Sequence, residues 1–260
     1  MVRFLSSVLC LLVAVAGSCL ATAGAAVELL PHQVIYRMSL GTVSDASDIA
    51  DANGAMLYKF TDGCDAWIAE TNVYLRLDYS DGGGMETTWS FVSWEAKDGL
   101  SYRFRIRHNR NGKQIEALQG TASIPSKGTA GIARFTMPKG TKIELPPSTI
   151  FPTRHLLQML DEGNRGSRLA RTVFDGASLE NPYEISAVIG DMPDGGGQKP
   201  VRHVGMAFFP YGSRVETPEF ELGIDYRDDG VAEWIHQDFG DFTLDLNPNN
   251  IEALDRPVCQ

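Results

Sequence analysis

The chain has 260 residues, a formal net charge of −10 at pH 7 and 43% hydrophobic residues. Its length suits one large domain or two small ones. The excess of carboxylates argues against nucleic acid as a partner, and it repels the anionic head groups of lipids.

An export signal is the first predicted element. Arg3 supplies a positive start, residues 4–16 are almost wholly apolar, and Ala-Thr-Ala at 21–23 offers small residues for cleavage. We therefore predict a signal peptide of residues 1–23, with residue 25 as an alternative end. The apolar run is shorter than the roughly 20 residues that span a bilayer, so the sequence predicts no integral membrane protein.

Cys19 offers an alternative to simple cleavage, because it could be a lipid-anchored cysteine. The Ala-Gly-Ser that precedes it is a poor approach sequence for that modification. We therefore favour the interpretation that Cys19 is a small apolar residue of a signal peptide that is removed. The mature chain, residues 24–260, is predicted to be a single domain, since no linker-like segment divides it.

Two cysteines, Cys64 and Cys259, are left near the ends of the mature chain. Because oxidising compartments permit structural disulfides, pairing is the favoured interpretation, and a pair of free reactive thiols is the alternative. The chain contains no Cys-x-x-Cys, which argues against thiol–disulfide exchange chemistry.

Short runs with alternating apolar residues predict β-strands along most of the mature chain. In the first half they include residues 34–40, 56–60 and 73–77, separated by turns rich in Gly, Asp and Asn. The clearest strand is 102–107, where aromatic and aliphatic residues alternate with three arginines. We expect the apolar face of this strand to be buried and the arginines to point away.

The second half continues in the same style and adds one helix. Its candidate strands are residues 169–174, 183–190, 201–209, 219–226, 231–239 and 242–246. Residues 152–162 are the only segment that predicts a helix, with a proline in the first turn and Gly163 as a stop. Leu156, Leu157 and Leu160 recur on one face of that helix.

Many strands with one helix predict a mainly β protein. A long antiparallel sheet must curl or close to hide its edges. The sequence therefore predicts a single large, strongly curved antiparallel sheet that encloses the α-helix. A lone helix cannot bury an apolar face by itself, so we expect the leucines to pack into the hollow of the sheet.

Motifs of known catalytic, nucleotide-binding or metal-binding sites are absent from the sequence. The five histidines are widely spaced, which gives no support for a metal site. They are His32, His108, His155, His203 and His236. We predict no catalytic residue, no metal and no cofactor. His155, near the start of the helix, is interpreted as a partly buried residue that bonds to backbone.

The aromatic residues allow two interpretations. They offer enough surface to line a cavity, but core packing is favoured, as in other β-rich proteins. The candidate cavity or helix-face residues are Trp67, Trp94, Phe104, His155, Leu156 and Leu160. The charged side chains at 95–98 are expected to be solvated.

Several motifs, in order along the chain, together resemble a known family. They are Pro-His at 31–32, Asp-Gly-Cys-Asp-Ala-Trp at 62–67, Trp-Glu-Ala-Lys-Asp-Gly at 94–99 with Tyr-Arg-Phe at 102–104, Phe-Pro-Thr-Arg-His at 151–155 and Val-Phe-Asp-Gly at 173–176. This pattern is similar to the EipB-like family of cell envelope integrity proteins, and it runs from about residue 28 to the C-terminus. Ser148 departs from the family, which usually has a Gly-containing turn there.

The resemblance implies a periplasmic protein of Gram-negative bacteria with a spiral-like β-sheet around a helix. It also implies a disulfide between Cys64 and Cys259 and a non-enzymatic role in maintaining the envelope. The family has no assigned catalytic residues, so none is carried over. Its fold more distantly resembles carriers of lipidated proteins such as the Lol system, and fold alone does not settle function.

Two main classes of function stay open. The favoured one is a periplasmic protein that supports the envelope by binding envelope proteins or components. The alternative is a carrier that shelters a lipid or acyl chain in the concave face of its sheet, and a hydrolase of envelope polymers is a weaker third. A continuous apolar cavity of several hundred Å³ would favour the carrier. A closed core with exposed apolar edges would favour the partner-binding protein, and clustered His, Asp and Ser in a cleft would favour the enzyme.

Overall fold

A computed structural model of the protein describes residues 27–161, 164–191 and 201–259. The predicted signal peptide and Cys19 lie outside the described residues. The strands are β1 (His32–Val43), β2 (Ile49–Asp62), β3 (Ala66–Tyr79), β4 (Gly84–Ala96), β5 (Ser101–Arg110), β6 (Lys113–Ser123) and β7 (Gly131–Met137). They continue with β8 (Lys142–Leu145), helix α1 (Pro152–Leu160), β9 (Arg168–Val173), β10 (Tyr183–Asp191), β11 (Val201–Pro210), β12 (Phe220–Arg227), β13 (Ala232–Asp238) and β14 (Phe242–Ala253).

All of these strands form one 14-stranded sheet, in the order β8-β7-β6-β5-β4-β3-β2-β1-β14-β13-β12-β11-β10-β9. Strands that are consecutive in the chain pair antiparallel, except β8 and β9 at the two ends of the sheet, and β1 pairs with β14 near the middle of the sheet. The chain therefore builds one half of the sheet from β1 to β8 and the other half from β9 to β14. The predicted fold class is confirmed.

The alternation of β5 shows how the sequence produces this sheet. Tyr102, Phe104 and Ile106 are 1–3% exposed, whereas the arginine that follows each of them is exposed. Successive side chains of a strand point to opposite faces, so a single repeating pattern places an apolar layer inside and a charged layer outside. The predicted burial of this strand is confirmed.

The sheet curls until its two end strands, β8 and β9, come close to each other. The segment that follows β8 reaches β9 through a parallel bridge between Ile150 and Val173. Two backbone hydrogen bonds hold this bridge, from Ile150 N to Thr172 O at 2.9 Å and from Phe174 N to Ile150 O at 3.0 Å. We call the line along which the sheet fails to close the seam, and α1 lies between β8 and β9 in the chain.

Helix α1 buries one face against the inside of the sheet. Leu160 is 2% exposed and packs with Leu29 and Phe60, while Leu156 and Leu157 are partly buried against the same cluster. The helix ends at Leu160 rather than at residue 162, because the backbone of Asp161 is already extended. Within the described residues no helix has the length and apolar composition that a membrane crossing requires.

Strand β14 is longer than the sequence predicts. The expected strand stops at residue 246, where the apolar alternation gives way to a polar run with a proline. The strand nevertheless continues to Ala253, because the backbone of β1 pairs with it as far as His32, across an irregularity at Pro248. Backbone pairing to a neighbouring strand does not require an apolar side-chain pattern.

A disulfide joins Cys64 to Cys259, with their Cα atoms 5.7 Å apart. Cys64 lies in the turn between β2 and β3, and Cys259 is in the exposed tail after β14. The same tail is also held by Arg256, which pairs with Glu28 and donates to the carbonyl of Leu29. The bond therefore fastens the C-terminal tail to the turn that opens the motif at 62–67.

Candidate functional site

The family-like motifs that lie far apart in sequence meet around the start of α1. Glu95, from the motif at 94–99, accepts hydrogen bonds from the backbone N–H groups of Thr153 and Arg154, at 2.7 and 2.8 Å. The N-cap residue Phe151 provides no side-chain hydrogen bond of its own. The carboxylate of Glu95, on a distant strand, therefore accepts the backbone hydrogen bonds that the side chain of a Ser, Thr, Asp or Asn at the N-cap usually accepts.

Glu95 is 3% exposed, so the prediction that the charges at 95–98 are all solvated is wrong for this residue. Burial raises the pKa of its carboxyl to about 7, and the hydrogen bonds from Thr153 and Arg154 offset part of that rise. The positive end of the helix dipole also favours a carboxylate here. Glu95 thus fixes both the position of the helix start and the backbone of Arg154.

The other end of α1 is held by a buried arginine from β11. Arg202 is 1% exposed, and its Nη1 donates to the carbonyl of Met159 at 3.0 Å. It also lies 3.5 Å from a carboxylate oxygen of Asp228. A cation at the last carbonyls of a helix complements the negative end of its dipole. The sheet therefore supplies a charged partner to each end of α1 from opposite halves.

Aromatic packing fixes the neighbouring segments. Phe151 stacks on Tyr102 with ring centroids 5.0 Å apart, and the Tyr102 hydroxyl donates to the carbonyl of Asp175 at 3.1 Å. Gly176 has φ +70°, and a Cβ there would meet the Phe104 ring at 2.5 Å. Only glycine fits both that backbone and that contact. The motifs at 102–104, 151–155 and 173–176 are thereby packed as one unit.

His155 lies on the buried face of α1 and is 4% exposed, more buried than predicted. Burial, and then the positive charge of Arg171, lower the pKa of its imidazole to about 4. The ring is therefore neutral at pH 7. Its Nε2 makes no hydrogen bond within the described residues, so the predicted bond to backbone is not observed at that atom.

A cleft of about 490 Å³ opens at the seam beside this packed unit, and we call it the seam cleft. It lies between the outer side of α1, the edge of β9 and two loops. Its lining residues are Asp98, Gly99, Leu100, Ile124, Lys127, Gly128, Ser148, Thr149, Ile150, Arg154, Gln158, Ala170, Arg171 and Thr172. Two of the family-like motifs contribute to this lining directly.

The charges of the seam cleft are mainly positive, although the whole chain is acidic. Lys127 and Arg154 are exposed, and neither makes an ion pair within the described part of the chain. Arg171 is oriented by Gln158, whose side-chain oxygen accepts from its Nε at 2.7 Å. Asp98 is the one acidic residue of the lining, and its carboxylate accepts from Leu100 N at 2.8 Å.

Ser148 forms a strained corner of the seam cleft. Its φ is +66°, in the left-handed region that glycine adopts most easily. A glycine-containing turn, as the resemblance implies for this corner, suits that backbone without strain. The next residue, Thr149, is buried, and its hydroxyl donates to the carbonyl of Pro146 at 2.7 Å.

None of the six candidate cavity residues lines the seam cleft. Phe104, Leu160 and His155 are buried in the interior, and Leu156 packs partly buried between α1 and the sheet. Of the two possibilities, cavity lining and helix face, Leu156 and Leu160 therefore fit the helix face.

The two candidate tryptophans differ. Trp67 packs partly buried against the core cluster of Leu29, Phe60 and Leu160, as the favoured interpretation has it, whereas Trp94 belongs to none of the core clusters of the described residues. Trp67 stacks on Phe60 with Lys97 above its ring at 4.4 Å, and Trp94 faces outward beneath Arg103 at 4.5 Å. Both rings are partly exposed. A cationic side chain lies over each of these rings.

Sequence reasoning missed the cations of the seam cleft. The sequence identifies Arg154 only as part of a motif. No pattern in the sequence predicts that Lys127 and Arg171 lie near it. Among the described residues no group of three His, Cys, Asp or Glu side chains is placed to hold a metal ion. The chemistry that this cleft offers is the binding of an anionic group by guanidinium and ammonium donors.

Comparison with known proteins agrees with the resemblance of the motifs. The model of the EipB-like family matches residues 23–255. The cell envelope integrity protein EipB of Brucella abortus (strain 2308) is 23% identical over 238 residues, which cover 86% of this chain and 84% of that protein. A crystal structure of a beta-barrel-like protein of a domain of unknown function from Brucella abortus has a TM-score of 0.80. That structure is 20% identical and covers 88% of this chain and 100% of its own. The chain therefore belongs to the EipB-like family.

Proposed function

We propose that this protein is a non-enzymatic periplasmic protein that supports cell envelope integrity by binding an envelope protein at the seam cleft. The name of its relative from Brucella abortus supports the envelope role. The disulfide between Cys64 and Cys259 supports an oxidising compartment. The partner that the cleft suits best is an extended, acidic segment of a protein chain.

The observation that carries this proposal is the convergence of Lys127, Arg154 and Arg171 on one cleft of a chain with a net charge of −10. Like charges repel one another, so three cations around one space are unfavourable until an anion joins them. Arginine is suited to carboxylates because its planar guanidinium donates two parallel hydrogen bonds. The cleft therefore favours carboxylate side chains.

The backbone of β9 favours an extended segment. This strand is at the end of the sheet, and within the described residues only Ile150 bridges to its outer edge. Ala170 and Thr172 of the same strand line the seam cleft. An exposed strand edge can pair with the backbone of another chain, while side-chain pockets provide specificity.

The carrier alternative receives less support from the same structure. Helix α1 occupies the hollow in which an acyl chain would lie, and Met159 and Leu160 are 2–3% exposed. The seam cleft lies beside α1, and eight of its fourteen lining residues are charged or polar. A site for an acyl chain is expected to be lined by apolar side chains.

The hydrolase alternative requires an acid, a base or a nucleophile that face one another in a cleft. The seam cleft contains Ser148 and Asp98 but its lining includes no histidine. The Asp98 carboxylate is engaged by the backbone of its own turn. This arrangement supports binding rather than hydrolysis.

The experiment uses a strain that lacks the protein and shows increased sensitivity to detergent. The variant Lys127→Gln/Arg154→Gln is expected to reach normal levels in the periplasm but to restore little resistance. The control Arg105→Gln/Lys113→Gln removes the same charge from exposed positions of β5 and β6 and is expected to restore resistance fully. Full rescue by the cleft variant would contradict the proposal.

A further inference from the structure

A second concave site lies on the outer face of the sheet, over the strands that follow β9 in the sheet order. It is a hollow of about 350 Å³ over strands β10 to β13. Residues in direct register across these strands form its floor and walls, among them Val188, Gly205, Gly223 and His236 in one row. We call it the outer hollow.

Small residues make the floor of the outer hollow. Gly205 pairs directly with Gly223, and Ala207 lies beside them on β11. Packing does not require either glycine: a Cβ at Gly205 would have no atom within 4 Å, and one at Gly223 would make ordinary contacts from 3.5 Å outward. Glycine inside a strand weakens it and often marks the close approach of a ligand.

Aromatic rings stand beside this floor. The Trp234 ring is parallel, within 28°, to the imidazoles of His203 and His236, at centroid distances of 6.3 and 5.5 Å. All three rings are partly exposed. A Cβ at Gly223 would be 3.5 Å from Cζ3 of Trp234, so the indole leans over the glycine. The rings thus present a broad, partly exposed aromatic surface next to the hollow.

Each imidazole is oriented by a carboxylate on the neighbouring strand. His203 Nδ1 donates to Asp225 at 2.6 Å, and His236 Nδ1 donates to Asp245 at 2.8 Å. These bonds fix the tautomer and the tilt of the rings. Nε2 of neither ring makes a hydrogen bond within the described residues, so each remains able to bond to a ligand.

Two carboxylates complete the rim. Glu221 and Asp238 are directly opposite each other on β12 and β13, an arrangement of like charges that destabilises a sheet. Neither makes an ion pair in the described ranges, and one carboxylate oxygen of Asp238 accepts from Gly240 N at 2.7 Å. Ser186 adds a hydroxyl to the same side of the hollow. The rim therefore offers acceptors for several hydroxyl or amide donors.

We infer that the outer hollow binds a glycan, with a pyranose ring over the glycine floor and its C–H face towards the Trp234 surface. A sugar ring combines an apolar face with hydroxyl donors, and the outer hollow combines an aromatic wall with carboxylate and imidazole acceptors. Hydrogen bonds from hydroxyls to ionised carboxylates are stronger than those between neutral groups. The four carboxylates of the site repel an anionic ligand.

The first measurement uses isotopically labelled protein and the tetramer of β-1,4-linked N-acetylglucosamine as the probe. Millimolar probe is expected to shift the backbone amide signals of Gly205 and Gly223 in a saturable manner, and to change the fluorescence of Trp234. Absence of these shifts would overturn the inference.

Two variants and a control then locate the binding. Gly205→Leu fills the open space of the floor, and Trp234→Ala removes the aromatic wall. Each is expected to weaken binding of the tetramer by about tenfold or more, which corresponds to about 1.4 kcal/mol. The control Gln119→Leu adds the same side chain on the exposed face of β6 and is expected to bind normally. Unchanged affinity in folded Gly205→Leu and Trp234→Ala would overturn the assignment.

Discussion

At the scale of single residues, Glu95 shows how a buried carboxylate can hold the start of a helix in place. It occupies the interior of the sheet because the N-terminus of α1 supplies two backbone donors within 2.8 Å. Burial of a carboxylate without hydrogen bonds would cost free energy. Glu95 instead accepts from backbone N–H groups of the helix start that would otherwise lack a partner. Its bond to the backbone of Arg154 places a cation of the seam cleft.

The raised pKa of Glu95, about 7, predicts a pH dependence of stability. The folded protein holds this proton to a higher pH than the unfolded chain does, so the stability gained by protonation is lost as pH rises through about 7. Between about pH 5 and pH 8, we expect the free energy of unfolding of the wild type to fall by on the order of 2 kcal/mol relative to that of Glu95→Gln. Denaturant unfolding of both proteins across this range measures it.

The comparison with Glu95→Gln also separates this effect from that of His155. The lowered pKa of His155, about 4, makes the protein lose stability as pH falls below the ordinary value of 6.5 towards 4. That loss is common to both proteins and cancels in the difference. Parallel pH profiles for wild type and variant would contradict the raised pKa of Glu95.

The sequence does not reveal which face of β4 is buried at its end. Trp94 is the apolar residue between Ser93 and Glu95, and alternation favours burial of the tryptophan. The structure buries the two polar neighbours instead. The reason lies in tertiary contact, since the partner of Glu95 is 58 residues away in the chain. No local pattern contains that information.

At the scale of elements, apolar periodicity is sufficient to predict a strand or a helix when one face of that element packs against the core. Strand β5 and helix α1 have this property, and both were predicted from the sequence. The ends of elements are harder to predict from the sequence. Strand β14 is longer than its apolar pattern because backbone pairing with β1 extends it. The seam cleft was not predictable, because it depends on how far a sheet curls before its two ends meet.

The packing of α1 predicts a large effect of truncating Leu160. This side chain is 2% exposed among Leu29, Phe60 and the helix leucines. We expect Leu160→Ala to lower the free energy of unfolding by about 2–5 kcal/mol, the range for a buried leucine. Leu157→Ala, on the same helix but only partly buried, is the matched control and is expected to have a smaller effect. A loss below about 1 kcal/mol for Leu160→Ala would show that α1 does not fill the hollow.

At the scale of the whole molecule, the sheet is built from two halves that meet at β1 and β14. The motifs at 62–67, 94–99, 151–155 and 173–176 are dispersed in sequence but fasten this arrangement at the turns, the tail and α1. The sequence alone predicts the fold class and favours the pairing of Cys64 with Cys259, and the resemblance to a family implies the same disulfide. Neither source placed the basic surface, because charge complementarity is a property of the folded surface.

The disulfide predicts a measurable constraint on the whole chain. Cys64 and Cys259 are 195 positions apart, so their bond removes unfolded-chain entropy equivalent to about 5 kcal/mol in the simplest treatment, and often less in practice. We expect Cys64→Ser to fold normally with stability reduced by up to a few kcal/mol. Reduction of the wild type is expected to lower its stability by the same amount, while reduction leaves the variant unchanged. Two reactive thiols in unfolded, unreduced wild type would contradict the bond.

The central claim, that the seam cleft binds an envelope protein, is tested most directly by photo-crosslinking in intact cells. A photoreactive residue replaces Thr172 at the edge of β9, and a control replaces Gln119 on the exposed face of β6. We predict one discrete adduct of the Thr172 probe with an envelope protein, no adduct of the control, and loss of the adduct when Lys127→Gln/Arg154→Gln is introduced. An absent adduct, or one that persists undiminished without those two cations, would contradict the account.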